Sequence, residues 1–251
     1  MPAPQLSVLG WLDLSCGAAG DMLLGALVAA GASLETVVDA VTAVGLPVDI
    51  STRPVTRAGQ AALAVTVTPR EAQPPHRRWR DLRALLEAAP LVPVVQRRAL
   101  AVFAALARAE GAVHGTDPED VHFHEVGAHD AVADIVGTCA ALHALRVERL
   151  VATPPALGGG TVRAAHGSLP VPVPAVLALL AAVGAPAVGG PVDVELTTPT
   201  GAALVTTMVD AWGPMPAMSV TAVGSGAGSR DLPDRPNVVR LVLGTAALVT
   251  V

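Results

Sequence analysis

The chain contains no lysine and no tyrosine, so its sixteen basic residues are all arginines. Without lysine, Schiff-base chemistry and the lysine of a nucleotide-binding P-loop are both excluded in this chain. Without tyrosine, phenolic acids and bases are excluded as well. Any catalysis must therefore use histidine, carboxylate, cysteine, hydroxyl and arginine side chains, or backbone amides.

Cysteine is also scarce, and basic residues are outnumbered by acidic ones. The two cysteines, Cys16 and Cys139, are too few for a disulfide framework. Cys139 falls within an apolar helical pattern, which is typical of a small core residue. The formal net charge of −5 excludes the basic balance that is typical of nucleic-acid-binding proteins.

Long unbroken apolar runs are missing too, although 52% of the residues are hydrophobic. The longest uncharged run, residues 167–192, is interrupted by prolines between Pro170 and Pro191, which argue against a membrane-spanning helix. No basic segment precedes an apolar one at the N-terminus, and Asp13 interrupts the only early apolar run. We therefore expect no signal peptide, no membrane partner and a cytoplasmic location.

Strand and helix patterns alternate along the 251 residues. One hairpin is predicted around Ala58-Gly59-Gln60, with arms at 51–57 and 61–68 and alternating valines in the second arm. Interleaved strands and helices predict an α/β fold built on a mixed sheet that is flanked by helices. We expect residues 1–251 to form one domain.

Imidazole and carboxylate side chains are concentrated between His122 and Asp134. In an extended segment, His122 and His124 would point to the same face. A helix over 128–144 would then stack Asp130 and Asp134 on one side of its first turns. Such a set suits a divalent transition metal, since imidazole favours zinc, copper, iron and nickel. The structural alternative is a pair of satisfied surface histidines and a carboxylate at a helix N-terminus.

Three later segments combine glycine, hydroxyl or cationic groups that could bind an anion. The loop 158–167 offers a glycine-rich backbone together with Arg163 and His166. Residues 197–201 form a hydroxyl-rich helix start, which is a capping motif first and an anion site second. Residues 224–231 are not a dinucleotide fingerprint because no helix follows them, but they could form an amide nest aided by Arg230.

Five separated motifs are distinctive: Gly20-Asp21-Met22-Leu23-Leu24-Gly25-Ala26-Leu27, the run His-Phe-His-Glu-Val-Gly from His122 followed by Asp130 and Asp134-Ile135-Val136-Gly137, the run His-Gly-x-Leu-Pro-x-Pro-x-Pro-Ala from His166, the segment from Glu195 to Ala202, and the segment from Pro236 to Gly244. Together they resemble the LarC-type nickel insertion proteins, and the resemblance covers nearly the whole chain. At His129 the chain departs from the family, which usually has an apolar residue there. His129 is either an added ligand or a tolerated surface change, and we favour the surface change.

The resemblance implies insertion of nickel into pyridinium bis-thiocarboxylic acid mononucleotide, with hydrolysis of CTP accompanying insertion. The product would be the nickel-pincer nucleotide, the cofactor of lactate racemase-type enzymes. Nickel must first be held by exchangeable ligands and then passed to two sulfurs and a ring carbon, whose proton needs a base. Imidazoles and carboxylates suit these tasks better than a closed thiolate cage would.

We assign candidate residues to three roles on these grounds. The candidate metal ligands are His122, His124, Asp130, Asp134, Asp13 and Asp21. The candidate catalytic residues are His124, Glu125 and His166. The candidate residues for binding the nucleotide are Arg163, Gly158, Gly159, Thr198, Thr200 and Arg230.

Members of the family commonly continue into a carboxy-terminal domain that is associated with CTP and a divalent cation, whereas this sequence stops at Val251. We therefore expect the chain to hold metal, with or without the mononucleotide, and to need a separate carboxy-terminal polypeptide for tight CTP binding and complete insertion. A homo-oligomer is left open. Two alternative functions also stay open, a metal-dependent phosphohydrolase that activates water and a non-catalytic nickel carrier.

Overall fold

The computed structural model describes residues 7–71, 77–123, 129–164 and 167–246. Within these residues the chain forms seven helices and nine strands. The helices are α1 (Gly20–Ala29), α2 (Leu34–Ala43), α3 (Trp79–Ala88), α4 (Pro93–His114), α5 (His129–Ala144), α6 (Pro174–Val183) and α7 (Pro199–Met208). The strands are β1 (Val8–Asp13), β2 (Val48–Arg57), β3 (Gln60–Pro69), β4 (Val147–Ala152), β5 (Thr161–Ala164), β6 (Gly167–Pro170), β7 (Ala211–Trp212), β8 (Met218–Ala227) and β9 (Val238–Ala246).

Seven of the described strands form one mixed sheet in the order β2-β3-β8-β9-β1-β4-β7. Strand β9 runs antiparallel to both of its neighbours, β1 and β8, while β1 and β4 are parallel. Strands β2 and β3 pair along their whole lengths as the hairpin that the sequence predicts. The predicted α/β fold with a mixed sheet is therefore confirmed. Strands β5 and β6 form a separate small hairpin that begins within the predicted loop 158–167.

Helix α1 lies directly on β8 because two residues of that strand have no side chain. A β-carbon on Gly224 would stand 2.1 Å from the carbonyl oxygen of Ala26, and one on Gly226 would stand 1.9 Å from that of Met22. The strand continues through Ala227. Gly224 and Gly226 therefore serve helix packing, and the predicted amide nest does not include them.

Helix α5 is the central helix of the layer that covers the sheet, and it packs against α1, α2 and α4. Most of its residues are buried, including Cys139, which is a small core residue as predicted. Burial raises the pKa of the Cys139 thiol to about 12. His129 opens the helix and is completely buried, so the expectation of a surface position is wrong.

An aromatic cluster of Trp79, Phe103 and Phe123 fixes the chain just before α5. The ring centroids are 6.2 to 6.5 Å apart. Phe123 is buried while His122 beside it is exposed, which is the alternation expected of an extended segment. The backbone N–H of Trp79 donates to the carbonyl of Val121 at 3.0 Å, which adds to the anchoring. None of the helices in the described ranges is long and apolar enough to cross a membrane.

Candidate metal and nucleotide site

A cleft of about 520 Å³ lies where the starts of α1, α5 and α7 approach the loop that follows β8. Strand β3 pairs with β8 at Leu63 and Gly226. Beyond this pair, residues of β3 and the loop from Gly228 to Arg230 both line the cleft. The volume falls in the range of roughly 300 to 1,000 Å³ that is usual for small-molecule sites.

The starts of α1 and α7 are held side by side by backbone hydrogen bonds. The N–H of Ala18 donates to the carbonyl of Leu196 at 3.1 Å, and the N–H of Thr198 donates to the carbonyl of Ala18 at 3.0 Å. The hydroxyl of Thr198 accepts a hydrogen bond of 3.2 Å from the N–H of Gly201, so Thr198 is the N-cap of α7. Helix starts carry free N–H groups and the positive end of the helix dipole. The start of α7, which has no acidic residue in its first turn, is therefore favourable for negative charge.

Three carboxylates from two helices line another part of the cleft, Asp21 of α1 and Asp130 and Asp134 of α5. Burial raises the pKa of Asp21, and the negative charge of Asp130 raises it further. The pKa of Asp134 is raised well above its usual range, first by burial and then by the charges of Asp21 and Asp130. The Oδ1 atom of Asp134 is buried without a hydrogen-bond partner among the described residues. Burial of this kind favours the protonated form of a carboxyl group, and a bound cation favours the ionised form.

Two other predicted metal ligands lie outside this cluster. His122 is exposed, forms a short β-bridge with Arg78, and does not line the cleft. Asp13 is buried and accepts hydrogen bonds from the Nε of Arg240 and from the N–H of Ser15, each at 3.0 Å. Burial alone would raise the pKa of Asp13, but the hydrogen bonds from Ser15 and Arg240 lower it overall. Asp13 therefore belongs to an ion pair that supports the sheet.

Three predicted catalytic or metal-binding residues, His124, Glu125 and His166, lie outside the described residues. Within the described ranges, no three histidine, cysteine, aspartate or glutamate side chains are arranged to hold a metal ion. The three aspartates of the cleft are thus an electrostatically coupled cluster rather than a preformed metal centre.

The predicted nucleotide-binding residues divide into two groups. Thr198, Thr200 and Arg230 line the same cleft as the carboxylates. Arg163 is exposed on β5 and does not line it. The structure therefore brings the hydroxyl-rich helix start and Arg230 to the carboxylates but leaves the arginine of the glycine-rich loop apart.

Gly158 and Gly159 lie behind the cleft wall rather than in it. A β-carbon on Gly158 would stand 1.9 Å from the carbonyl oxygen of Val194, and the N–H of Gly159 donates to that oxygen at 3.2 Å. These glycines therefore pack against the main chain of the segment that leads from Val194 to Thr198 at the start of α7.

Sequence reasoning missed two further residues that line the cleft, Glu195 and Asn237. Glu195 lies three residues before Thr198 in the sequence. This proximity to the hydroxyl-rich helix start is a signal that Glu195 lies in the same cleft. Asn237 is buried and is the only asparagine in the chain, but nothing in its local pattern distinguished it from a residue that starts a strand.

The structure is that of an α/β protein in which this cleft collects helix starts next to the sheet, a common position for ligand sites in this fold class. The sequence model of the nickel insertion protein family matches residues 10–250, and the chain belongs to this family. The family resemblance drawn from the motifs is confirmed.

Two relatives show the extent of the similarity. The chain is 51% identical over 244 residues to the pyridinium-3,5-bisthiocarboxylic acid mononucleotide nickel insertion protein of Nocardioides sp. (strain ATCC BAA-499 / JS614), with 94% of this chain and 60% of that protein covered. It is 39% identical over 250 residues to the protein of the same name from Geobacillus kaustophilus (strain HTA426), with 96% and 60% covered. The chain thus spans about 60% of the length of these relatives. No solved structure matches the chain.

Proposed function

We propose that this chain binds nickel and pyridinium bis-thiocarboxylic acid mononucleotide together in the cleft, and that the metal is inserted there to give the nickel-pincer nucleotide. The observation that carries the proposal is that the carboxylate cluster and the anion-favouring residues Thr198, Thr200 and Arg230 line one cleft. Membership of the nickel insertion protein family and the substrate named for two relatives support it.

Nickel is proposed to enter at the carboxylate end of the cleft. Asp21, Asp130 and Asp134 supply oxygen ligands there. His124 stays a candidate imidazole ligand from the sequence and lies outside the described residues, whereas His122 lies outside the cleft in this structure. Because burial raises the pKa values of Asp21 and Asp134, protons compete with a metal for these carboxyls at a higher pH than for an ordinary aspartate. Nickel affinity is therefore expected to fall as the pH falls.

The phosphate of the mononucleotide is proposed to lie near Arg230 and the start of α7. In a chain without lysine, arginine and backbone N–H groups are the main donors available to a phosphate. Arg163 lies outside the cleft, so we place the phosphate at Arg230 rather than at the loop 158–167. This places the nucleotide beside the carboxylates that hold the metal.

Insertion requires one C–H bond of the pyridinium ring to break. Its electron pair forms the nickel–carbon bond, the two sulfurs complete the binding of nickel, and the proton passes to a base. A raised pKa makes a carboxylate a stronger base, so Asp134 is a candidate for accepting this proton, in addition to the sequence candidates His124, Glu125 and His166. Dependence on CTP with a divalent cation, and assignment to the lyase class, are parts of this proposal that the resemblance implies.

Calorimetric titration with nickel tests the metal half of the proposal. Asp21→Asn and Asp134→Asn should each lower nickel affinity by about tenfold or more, as loss of a metal ligand or its support usually does. A matched control is Glu87→Gln, which removes an exposed carboxylate paired with Arg83 on α3. The His122→Ala/His124→Ala double variant tests the imidazoles. Equal stoichiometry and affinity in all variants would refute the metal site.

An insertion assay tests the reaction itself. The chain, nickel, the dithio-mononucleotide and CTP with Mg²⁺ are combined, with and without the carboxy-terminal region of a relative, and the product is followed by its absorbance. We expect full turnover only with CTP and the added region. Turnover of the chain alone would show that these residues suffice, and turnover without CTP would contradict the nucleotide dependence.

A metal-dependent phosphohydrolase is the second candidate function, because the carboxylates that line the cleft suit hard cations such as Mg²⁺ and Mn²⁺. Hydrolysis of simple phosphate esters by the Mg²⁺-loaded chain, without any sulfur-bearing substrate, would favour it. Binding of nickel without any binding of the mononucleotide would instead favour a carrier.

A further inference from the structure

Asn237 closes the loop between Gly228 and Arg230 at both ends. Its backbone carbonyl accepts a hydrogen bond of 2.9 Å from the N–H of Gly228, and its side-chain Nδ2 donates to the carbonyl of Arg230 at 3.0 Å. Asn237 is only 7% exposed and stands immediately before β9. The loop that carries Arg230 is therefore fixed to the sheet by one buried residue.

Gly228 is held from two sides, and this leaves no room for a side chain at position 228. A β-carbon at this position would stand 2.5 Å from the Nδ2 of Asn237. On the other side, Arg57 of the β2–β3 hairpin donates from Nε and Nη2 to the carbonyl of Gly228, at 3.1 and 3.0 Å. Both backbone polar groups of Gly228 are thus engaged, so the loop cannot rotate without breaking these bonds.

Arg230 is exposed and lines the cleft, so its guanidinium is available to a ligand while its backbone is fixed. Fixing the backbone in advance lowers the entropy that is lost when a flexible side chain binds an anion. The side-chain amide of Asn237 donates to the main-chain carbonyl of Arg230. Asn237 can therefore affect a bound ligand through the position of Arg230.

We infer that Asn237 is a positioning residue that sets Arg230 for the phosphate of the mononucleotide. The inference rests on the proposed function of the cleft. It predicts that Asn237 contributes to affinity only while Arg230 is present, since the amide acts on the loop and not on the phosphate.

A double-mutant cycle on the full chain tests this dependence. Affinity for the dithio-mononucleotide is measured by calorimetry without nickel for the wild type, Asn237→Ala, Arg230→Ala and the double variant. Arg230→Ala should weaken binding by about tenfold or more, as loss of a charge-assisted phosphate contact does. Asn237→Ala should weaken it by several-fold. The double variant should bind as weakly as Arg230→Ala alone, within about twofold, because coupled residues are not additive.

Two further variants separate positioning from general destabilisation. Gln96→Ala removes another side-chain amide that donates to backbone carbonyls, those of Leu86 and Glu87 at 2.9 and 3.1 Å, away from the cleft. Its mononucleotide affinity should equal that of the wild type. Arg57→Ala releases Gly228 from the hairpin side and should repeat the non-additive pattern with Arg230→Ala, so it replaces Asn237→Ala if that variant does not fold.

Other outcomes would contradict the positioning role of Asn237 or the phosphate position at Arg230. Additive losses for Asn237→Ala and Arg230→Ala would show that Asn237 acts without Arg230, and an unchanged affinity for Asn237→Ala would show that it does not act on the ligand at all. In both cases the proposed phosphate position at Arg230 is still supported, and only the positioning role of Asn237 is contradicted. If Arg230→Ala itself has no effect, the positioning role and the proposed phosphate position are both overturned.

Discussion

The carboxylate of Asp134 lies directly against Gly20, so closely that a β-carbon at position 20 would stand 2.6 Å from Oδ2. Gly20 begins α1 and Asp134 lies in the early turns of α5. The position of a buried carboxylate therefore depends on the absence of a side chain on a different helix, one residue before Asp21. This contact brings the carboxylates of the two helices into one cluster.

Gly20→Ala should displace the Asp134 carboxylate and disturb the cluster. We expect nickel affinity to fall by about tenfold, and the free energy of unfolding to fall by about 1–3 kcal/mol, the usual cost of overpacking. Calorimetry and urea denaturation measure the two quantities. Gly189→Ala is the control, because nothing lies within 4 Å of a β-carbon built there. An unchanged nickel affinity in Gly20→Ala would show that the contact does not set the metal site.

Asp134→Asn should stabilise the metal-free protein near neutral pH. Because the pKa of Asp134 is raised in the folded state, the folded chain keeps a proton that the unfolded chain has already released. The free energy of unfolding of the wild type therefore falls as the pH rises from about 3.9, the ordinary pKa of aspartate, towards the raised value. The amide of the variant does not titrate and carries no such loss, so we expect the variant to be more stable by on the order of 1 kcal/mol.

Urea denaturation in the presence of a chelator, repeated across this pH range, measures the difference. Added nickel should reverse the order of stability, because a ligand that binds only the folded state stabilises the protein that binds it more tightly. Parallel pH profiles for the two proteins would contradict the raised pKa.

Arg240→Ala should lower stability and leave nickel binding intact. The hydrogen bonds to Asp13 lower the pKa of that carboxyl, so its stabilising contribution is present above the unfolded pKa and is lost as the pH falls through the folded one. Near neutral pH we expect a loss of about 1.5–3 kcal/mol, the range for hydrogen bonds to charged groups. The loss should shrink in acid.

Arg70→Ala is the matched control for this ion pair. It removes an arginine from an exposed pair with Asp49, in which the two side chains are 62% and 64% accessible, and we expect little change in stability because solvent screens such a pair. If Asp13→Asn lowers the nickel stoichiometry as much as Asp21→Asn does, Asp13 is a metal ligand as the sequence predicts.

Local patterns predicted the elements whose residues alternate or repeat. The β2–β3 hairpin was predicted from its turn and its alternating valines, and α5 from an apolar helix that carries Asp130 and Asp134 one turn apart. Cys139 was placed in the core for the same reason. These features depend on neighbours along the chain, which the sequence displays directly.

Features that depend on distant neighbours were not visible in the same way. The polar side chain of His129 predicts a surface position, yet the residue is completely buried, because tertiary packing rather than the local pattern decides its exposure. Arg163 and Arg230 both follow glycine-rich runs, so their local patterns are equivalent, and only the tertiary arrangement places Arg230 in the cleft. Gly224 and Gly226 suggested a loop because their partner, α1, is some two hundred residues away along the chain.

The close contact between α1 and β8 has a consequence for random mutagenesis. Any codon change that replaces a glycine adds at least a β-carbon, and at Gly224 or Gly226 that carbon would meet the main chain of α1. The helix would have to rise from the sheet and carry Asp21 with it. In a library of random variants selected for nickel binding, replacements at these two positions should therefore be rare, although neither residue lines the cleft.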